Sequence, residues 1–542
     1  MSTKILGAGK STGSSFIIGH MWLERMVEWA RARQRVIAYT AGILLVCLWT
    51  LLRFFTKRTI FDLVSQQVIV QQWLHGQVSV AHMGQTAYIP KMLLLYAPME
   101  ILPGSPRLKL TLLTLAINIA TFVFIGLIAE RILREFHVRI GWVFYASLVW
   151  LGAVAGSVFW IEFANSRNLE VAGGLLLLYL GIRFIRRPNA HLEWGVATLG
   201  SLLFFSDPLQ VYMTAIPLVL YAGTLAVAKR CRKHTVAVLC GLLLFGFVVS
   251  KVLFALTGHW LHLSFTDTGN AAAPHLSTAW LAQSASGTVK SAVSLLAGAN
   301  DAGRAREAAN VGLLLLGVVG VFYGAVRRQI SRRLLLLVGC VWIVDTLVYM
   351  ASGQAVHGAA TSRYLIMTVP ALLLAFGSVR LPKIAIRPAM VTASVVVALN
   401  LTALAIALTA HWSTSFPADA HIASAYRYIL NHPNTRVYAS TDTAMPAQYL
   451  YRLPAERALP VGCLNGALVQ THFSMDGAFA HNATEPNTSA AIVLDESAIT
   501  NTPNVCSVAS IEARLGQPQS VDYTDDGSAV MYYPQSAMHP LR

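Results

Sequence analysis

Apolar positions along the chain gather into about eleven runs near the roughly 20 residues that a helix needs to cross a bilayer. They occupy 37–55, 108–129, 141–160, 170–185, 192–205, 209–228, 235–257, 308–326, 334–352, 364–379 and 389–411. The runs at 170–185 and 192–205 are short. The connections between runs alternate in character. The N-terminal tail to Arg35 is basic, and so are the loops carrying Arg131/Arg134/Arg139, Arg183/Arg186/Arg187, Lys229/Arg230/Arg232/Lys233, Arg327/Arg328/Arg332/Arg333 and Arg380/Lys383/Arg387. Lys and Arg collect on the cytoplasmic side of membrane proteins. The alternation therefore predicts an inside N-terminus, odd-numbered helices running outward, and everything after His411 outside. Lys57 and Arg58, just beyond the first helix, run against this rule, as a site for an anionic group would require.

Three outer regions are long enough to build structure: 56–107, 258–307 and the tail from 412. Over 59–76, Ile60, Leu63, Val64, Val68 and Trp73 alternate with Gln66, Gln67, Gln71 and Gln72, a pattern that predicts a helix lying at the membrane interface. The apolar stretch 92–102 is bracketed by Pro90 and Pro103 and is too short to span, so it is expected to be re-entrant or interfacial. The tail is richer in Pro, Asn, Thr and Asp. Strands are expected at 436–440, 491–495 and 530–533, and helices at 420–431 and 445–453. The expected fold is an all-α polytopic membrane domain over 1–411, N-in and C-out, followed by a small extracytoplasmic α/β domain over 412–542.

Composition sharpens this picture. Of 542 residues, 55% are hydrophobic and only 12% charged, against roughly a quarter charged in soluble domains. The net charge of +16 sits in short loops rather than on one soluble surface, so it points to membrane lipids and not to nucleic acid. The first apolar run lacks a following small-residue cleavage site and is expected to be a retained anchor. Cys47, Cys231, Cys240 and Cys340 fall in helices or inner loops; Cys463 and Cys506 lie in the outer tail, where a disulfide between them is allowed. Asn482 and Asn487 head sequons that matter only in a eukaryotic secretory lumen. There is no CxxC, HExxH, Walker loop or GxGxxG before a helix, and His75 and His82 have no companions to complete a metal site. No cofactor or metal is expected. Neither is an internal repeat visible, which argues against repeat-built transporters.

Polar groups in or beside spanning helices are costly, so each needs a reason. Lys251 and Asp345 lie within spans and are expected to pair. The outer ends carry Glu162, Asn165, Arg167, Asn168 and Glu170 after the third run, Asp207 before Pro208 after the fifth, and His357, Arg363 and Tyr364 after the ninth. Any one of these reads as a cap or a solvated loop residue. Together they share the face of Asp62, the carboxylate that opens the first outer loop.

The order outward helix, Asp62, a helix ending at Gly76, Tyr88-Ile89-Pro90, an apolar run, Pro98 and Leu102-Pro103 resembles the first external loop of GT-C polyprenyl-phosphate-sugar glycosyltransferases, closest to glycosyltransferase family 87. That likeness covers about 45 residues; a late outer helix opened by Arg363-Tyr364 extends it more loosely. It implies a GT-C-like fold, a polyprenyl-phosphate-linked sugar donor, a glycan or lipid acceptor, and a bacterial inner (plasma) membrane location with the site on the extracytoplasmic face. It also implies a catalytic role for the first-loop acid. The chemistry agrees independently: a sugar phosphate leaves as a stabilised anion, so one base that deprotonates the acceptor suffices, and Asp62 is the candidate. Lys57, Arg58, Arg167 and Arg363 are candidates to steady the departing phosphate. Glu162, Asn165, Asp207, His357, Tyr364 and Tyr88 are candidates for substrate contact, Tyr88 also shaping the loop with Pro90. Two competing readings are a transporter or flippase of lipid-linked glycan and a non-catalytic assembly protein. The topology is testable directly: alkaline phosphatase fused after Arg328 should be inactive and fused after Gln470 active, and the reverse pattern overturns the orientation.

Overall fold

The computed structural model describes residues 33–52, 54, 61–75, 81–84, 88–153, 167–266, 278–297, 304–351, 355, 365–380, 394–395, 397–402, 404–406, 409, 431–432, 435–453, 457–464, 467–470, 489–494, 506–523, 528–534 and 537. Helix α1 (Arg33–Leu52) leads to α2 (Phe61–Leu74), strand β1 (Ala81–Gly84) and a broken helix. The broken helix begins as α3 (Ile89–Lys91), widens into a π segment at Met92–Tyr96 and ends as α4 (Ala97–Ile101). Next come α5 (Pro106–Glu135), α6 (Trp142–Ala153), α7 (Asn168–Arg186), α8 (Ala190–Ser206), a second π segment (Val211–Ala215) leading into α9 (Ile216–Val227), and α10 (Lys233–Trp260). Strand β2 (Leu263–Thr266) and helices α11 (Thr278–Ala297), α12 (Arg304–Val326), α13 (Arg332–Ala351), α14 (Thr368–Gly377) and α15 (Val397–Ile406) complete the helical part.

Local chemistry sets these boundaries. Ser105 caps α5 by accepting the Leu108 N–H at 3.3 Å, with Pro106 in the first turn where its missing donor costs nothing. Asn189 caps α8 through the Leu192 N–H at 2.9 Å. Each π segment is followed two residues on by a proline, Pro98 and Pro217, which lack the N–H that a regular α ladder would use there.

Among the described residues, 5 helices (α1, α5, α7, α10 and α13) are long and apolar enough to cross a membrane by length and composition. Shorter helices lie at several of the other apolar runs, α8 covering 192–205 and the segments Val211–Val227, Asn310–Val326 and Thr368–Gly377 lying within 209–228, 308–326 and 364–379. The core joins Val46 and Trp49 of α1, Phe122 and Ile125 of α5, Phe144 of α6 and Leu175 of α7. On α10, α12 and α13 large apolar side chains such as Phe245, Phe322 and Trp342 face outward, the surface expected where lipid replaces water. Helix α5, 30 residues and hence about 45 Å long, separates two unlike ends. At its C-terminal end Arg35 meets Glu130 at 3.2 Å and Arg186 meets Glu135 at 3.2 Å, so basic residues of successive loops share one end.

At the opposite end, β1 and β2 pair in parallel from Ala81 with Leu263 to Gly84 with Thr266, stitching the first long loop to the second. The tail forms a six-stranded sheet, β5-β4-β3-β6-β8-β7. Its elements are β3 (Thr435–Ser440), α16 (Thr441–Tyr451), β4 (Ala458–Leu464), β5 (Ala467–Gln470), β6 (Ser489–Leu494), α17 (Val508–Leu515), β7 (Ser520–Tyr523) and β8 (Ala529–Pro534). The central β3 runs parallel to both neighbours. Its side chains alternate: Val437 and Ala439 pack with Ala444 and Ala447 of α16, and Tyr438 with the cluster that includes Ile511 of α17. The three expected strands and the second expected helix are present, whereas 420–431 lies almost entirely outside the described residues. Cys506 is disulfide-bonded; its expected partner Cys463 is on β4, with a side chain outside those described.

Two expectations need correction. Helix α2 does not present its glutamines to water, since every residue from Val64 to Gln72 is buried. Val64 and Val68 pack with Met445 and Tyr449 of α16, and Gln72 donates to Gln448 at 3.1 Å, so a partner helix some 380 residues away takes the face that the pattern assigned to the interface. Lys251 and Asp345 do not pair. Lys251 is exposed, with its ammonium 5.4 Å from the Phe247 ring, while Asp345 is buried and accepts from the Thr368 N–H and hydroxyl at 3.1 and 2.9 Å.

Helices α8 and α10 meet at small residues: a Cβ on Gly246 would lie 3.1 Å from the Ser201 nitrogen and 3.4 Å from the Ala197 oxygen. Backbone cannot yield as a flexible side chain can. Gly246→Val should therefore lower thermal stability in detergent by roughly 1–3 kcal/mol, whereas Gly241→Val, with nothing within 4 Å of its Cβ position, should leave the unfolding midpoint unchanged.

Candidate active site

The end of the bundle that carries the first long loop buries a set of charges. Tyr88 starts it with a left-handed backbone (φ 49°), which turns the chain into α3 and lets its N–H donate to the Ser206 carbonyl at 3.2 Å. Pro90 then fits the first helical turn, and the Tyr88 carbonyl accepts from the N–H groups of Lys91 and Met92. That turn drives Lys91 inward. Its ammonium lies 2.9 Å from Glu170 and 4.1 Å from the centre of the Tyr88 ring, with both members of the ion pair buried. The second Glu170 oxygen accepts the Ser206 hydroxyl at 2.7 Å. One carboxylate in the first turn of α7 thus holds the loop helix and the end of α8 together.

A second pair lies beside the first. Arg167, immediately before α7, approaches Asp207, immediately after α8, at 3.6 Å, with side chains 4% and 0% exposed. The other Asp207 oxygen accepts the Leu209 N–H at 3.1 Å, which fixes the turn through Pro208. Behind these pairs a buried chain of amides ties α7 to α5 and α1: Asn168 donates to Asn118 at 2.8 Å, and Asn118 donates to Thr50 at 2.9 Å. Gln210, fully buried, accepts from Thr214 at 2.9 Å, packed against Gly174, where a Cβ would sit 2.6 Å from the Gln210 oxygen. Asp345 joins the group electrostatically, through Arg167.

Burial sets the protonation behaviour of the loop groups. It pulls the Lys91 ammonium below the usual lysine range, while Glu170 pulls the other way. Tyr96, also fully buried, is pushed well above the usual tyrosine range by burial and by Glu170, so it stays a neutral phenol. The arrangement is a preorganised, buried polar cluster, with cations held at set positions and carboxylates held by hydroxyl and N–H groups.

Of the expected site residues, Tyr88, Arg167 and Asp207 come together here. Asp62 lies in the first turn of α2, and its side chain is outside those described. The helix that bears it packs through Ile69 and Val70 in one cluster with Ile89, Met92 and Tyr96. Lys57, Arg58, Glu162, Asn165, His357, Arg363 and Tyr364 lie outside the described residues. Lys91 and Tyr96 were not anticipated from sequence. Their signal was present as a lone lysine and a tyrosine in the apolar stretch bracketed by Pro90 and Pro103. Among the described residues no group of three His, Cys, Asp or Glu side chains is placed to hold a metal ion.

No protein-family model matches the chain, and no curated protein sequence does. Among solved structures it is similar to ArnT from Cupriavidus metallidurans bound to undecaprenyl phosphate, at 12% identity over 94% of this chain and 100% of that chain, with a TM-score of 0.48.

Removing one member of the buried Lys91–Glu170 pair strands the other charge. Lys91→Met should cost about 3–5 kcal/mol of stability, read as a lowered unfolding midpoint in detergent. Adding Glu170→Met should recover much of the loss; a double variant as unstable as the single one would show that the pair is not the relevant contact.

Proposed function

We propose that this chain is an integral membrane glycosyltransferase that moves one sugar from a polyprenyl-phosphate donor to a glycan or lipid acceptor on the extracytoplasmic face. The supporting observation is that one short helix, α3 with its π extension, packs on α2, the helix of Asp62, and also supplies Lys91 to the buried charge cluster. A base and a preorganised electrostatic environment are what this reaction needs from a protein. The helix of the proposed base and the charge cluster lie at the same end of the bundle.

In the proposed reaction Asp62 takes the proton of an acceptor hydroxyl. The oxygen attacks the anomeric carbon from the face opposite the phosphate, the carbon–oxygen bond to phosphate breaks, and the polyprenyl phosphate leaves with that electron pair. The configuration inverts. Lys91 and Arg167 act on the charge of the departing phosphate, with Arg363, Lys57 and Arg58 as further cations from the outer loops. Asp207 and Ser206 hold these groups in register, and Glu162, Asn165, His357, Tyr364 and Tyr88 are assigned to substrate contact. The buried phenol of Tyr96 keeps its proton and so remains a donor.

Asp62→Asn preserves size and polarity but removes the base. Transfer of radiolabelled sugar from polyprenyl phosphate in membranes should fall at least about 100-fold, with protein level unchanged. Wild-type transfer in that variant overturns the single-base mechanism, and lipid-linked glycan export that persists while transfer is lost in every assay supports the flippase instead.

A further inference from the structure

A cavity of about 290 Å³ opens where α2, α4 and the start of α5 meet the end of α16, lined by Gln71, Leu74, His75, Glu100, Ile101, Lys109 and Arg452. It is separate from the charge cluster around Glu170. On a helix with 3.6 residues per turn, Gln71 lies nine residues and roughly half a revolution from Asp62, so the cavity flanks the opposite side of α2. Its walls come from the first long loop and from the tail, which places it at the junction of two regions far apart in sequence.

The polar groups in this cavity are of both kinds. Lys109 is largely committed, donating to the Glu100 carbonyl at 2.7 Å and lying 3.5 Å from its carboxylate. Glu100 also accepts the Tyr449 hydroxyl at 2.7 Å, and that phenol is pushed up by burial and by the same carboxylate, so it keeps its proton. His75 has Nδ1 2.6 Å from the Gln71 carbonyl, which only accepts, so Nδ1 carries a hydrogen and Nε2 is the ring nitrogen left for another partner. The Gln71 amide offers a donor and an acceptor together. Arg452, exposed at the end of α16, supplies donors beside the Gly104 carbonyl at 3.5 Å. Leu74 and Ile101, 48% and 72% exposed, form an apolar ledge at the rim.

A phosphate or a lipid phosphate head presents only acceptor oxygens and would meet the Glu100 carboxylate unfavourably, with Lys109 already held by that residue. A sugar hydroxyl donates and accepts, and a sugar ring has an apolar C–H face for the leucine and isoleucine. The volume of about 290 Å³ falls just below the roughly 300–1,000 Å³ of drug-sized ligand sites, which suits an occupant as small as one sugar ring. We infer that this cavity is a saccharide-binding site, with Gln71, His75 and Arg452 as the groups that take the hydroxyls. The assignment of its sugar to the acceptor glycan rests on the glycosyl-transfer reading; the binding does not.

The test uses the full chain in nanodiscs and saturation-transfer difference NMR with D-glucose, D-galactose, D-mannose, L-arabinose and D-glucuronate. At least one of these sugars should receive saturation from the wild type and equally from Asp62→Asn, and Gln71→Leu and Arg452→Ala should each cut that signal at least about fivefold. Arg452 is exposed, so its variant should keep the wild-type unfolding midpoint, and Arg452→Lys should restore part of the signal. The signal should be the same in nanodiscs with and without phosphatidylglycerol. Silence from all five sugars, a signal that survives both Gln71→Leu and Arg452→Ala, or phosphatidylglycerol retained in mass spectra by the wild type and lost by Arg452→Ala would each overturn the site. Full transfer activity in Asp62→Asn would sink the proposed mechanism and leave the sugar site standing, so the two ideas fail separately.

Discussion

Burying a charge requires burying its opposite beside it, and much of the end of this molecule that carries the first long loop follows from that constraint. Glu170 faces inward at the start of α7, so Lys91 must be delivered to it from a loop about 80 residues earlier in the chain. The left-handed turn at Tyr88 and the proline at 90 deliver it. The same carboxylate takes the Ser206 hydroxyl, and the backbone next to Ser206 continues into Asp207, which faces Arg167. One pair thereby fixes the positions of three chain segments, and the second pair closes the same junction from the other side. Because each member is buried, none can be lost without leaving an uncompensated charge.

The tail belongs to this architecture and is no appended module. Helix α16 covers the Val64 and Val68 side of α2, while Ile69 and Val70 cluster with the broken helix of the first loop. The helix carrying Asp62 is thus held between an element of the first long loop and an element of the tail. Tyr449 reaching Glu100 and Gln448 meeting Gln72 add directional contacts to that packing. Any ligand seated between tail and loop therefore bears on the helix of the proposed base.

What could be read from sequence divides along physical lines. The long apolar helices were legible because lipid demands long apolar runs, and the strands at β3, β6 and β8 were legible because buried strands are short and rich in apolar and β-branched residues. Arg167 and Asp207 stood out because a charge at the end of a span is costly. The fate of Gln66 to Gln72 was not legible: a helix with polar and apolar faces looks the same whether water or another polar helix meets the polar side. Lys251 and Asp345 failed for a related reason. Matching depth along two helices does not fix the rotation of either, and Asp345 found its donors on Thr368 instead. Lys91 escaped notice because its partner lies on a different helix and its neighbours read as an uninterrupted apolar stretch.

The pairing of cations with carboxylates also constrains the proposed chemistry. Lys91 and Arg167 each already face a carboxylate, so a phosphate that approaches them competes with Glu170 and Asp207 instead of meeting bare cations. Such a site stabilises negative charge only moderately while the phosphate is still esterified to sugar. As the bond breaks, charge grows on the phosphate and the balance shifts toward it, which is the differential stabilisation that catalysis requires. A bare cluster of cations would hold the product phosphate tightly and slow its release. Carboxylate-balanced cations in a buried setting would thus suit the proposed transferase, which must let a lipid phosphate go after every turnover.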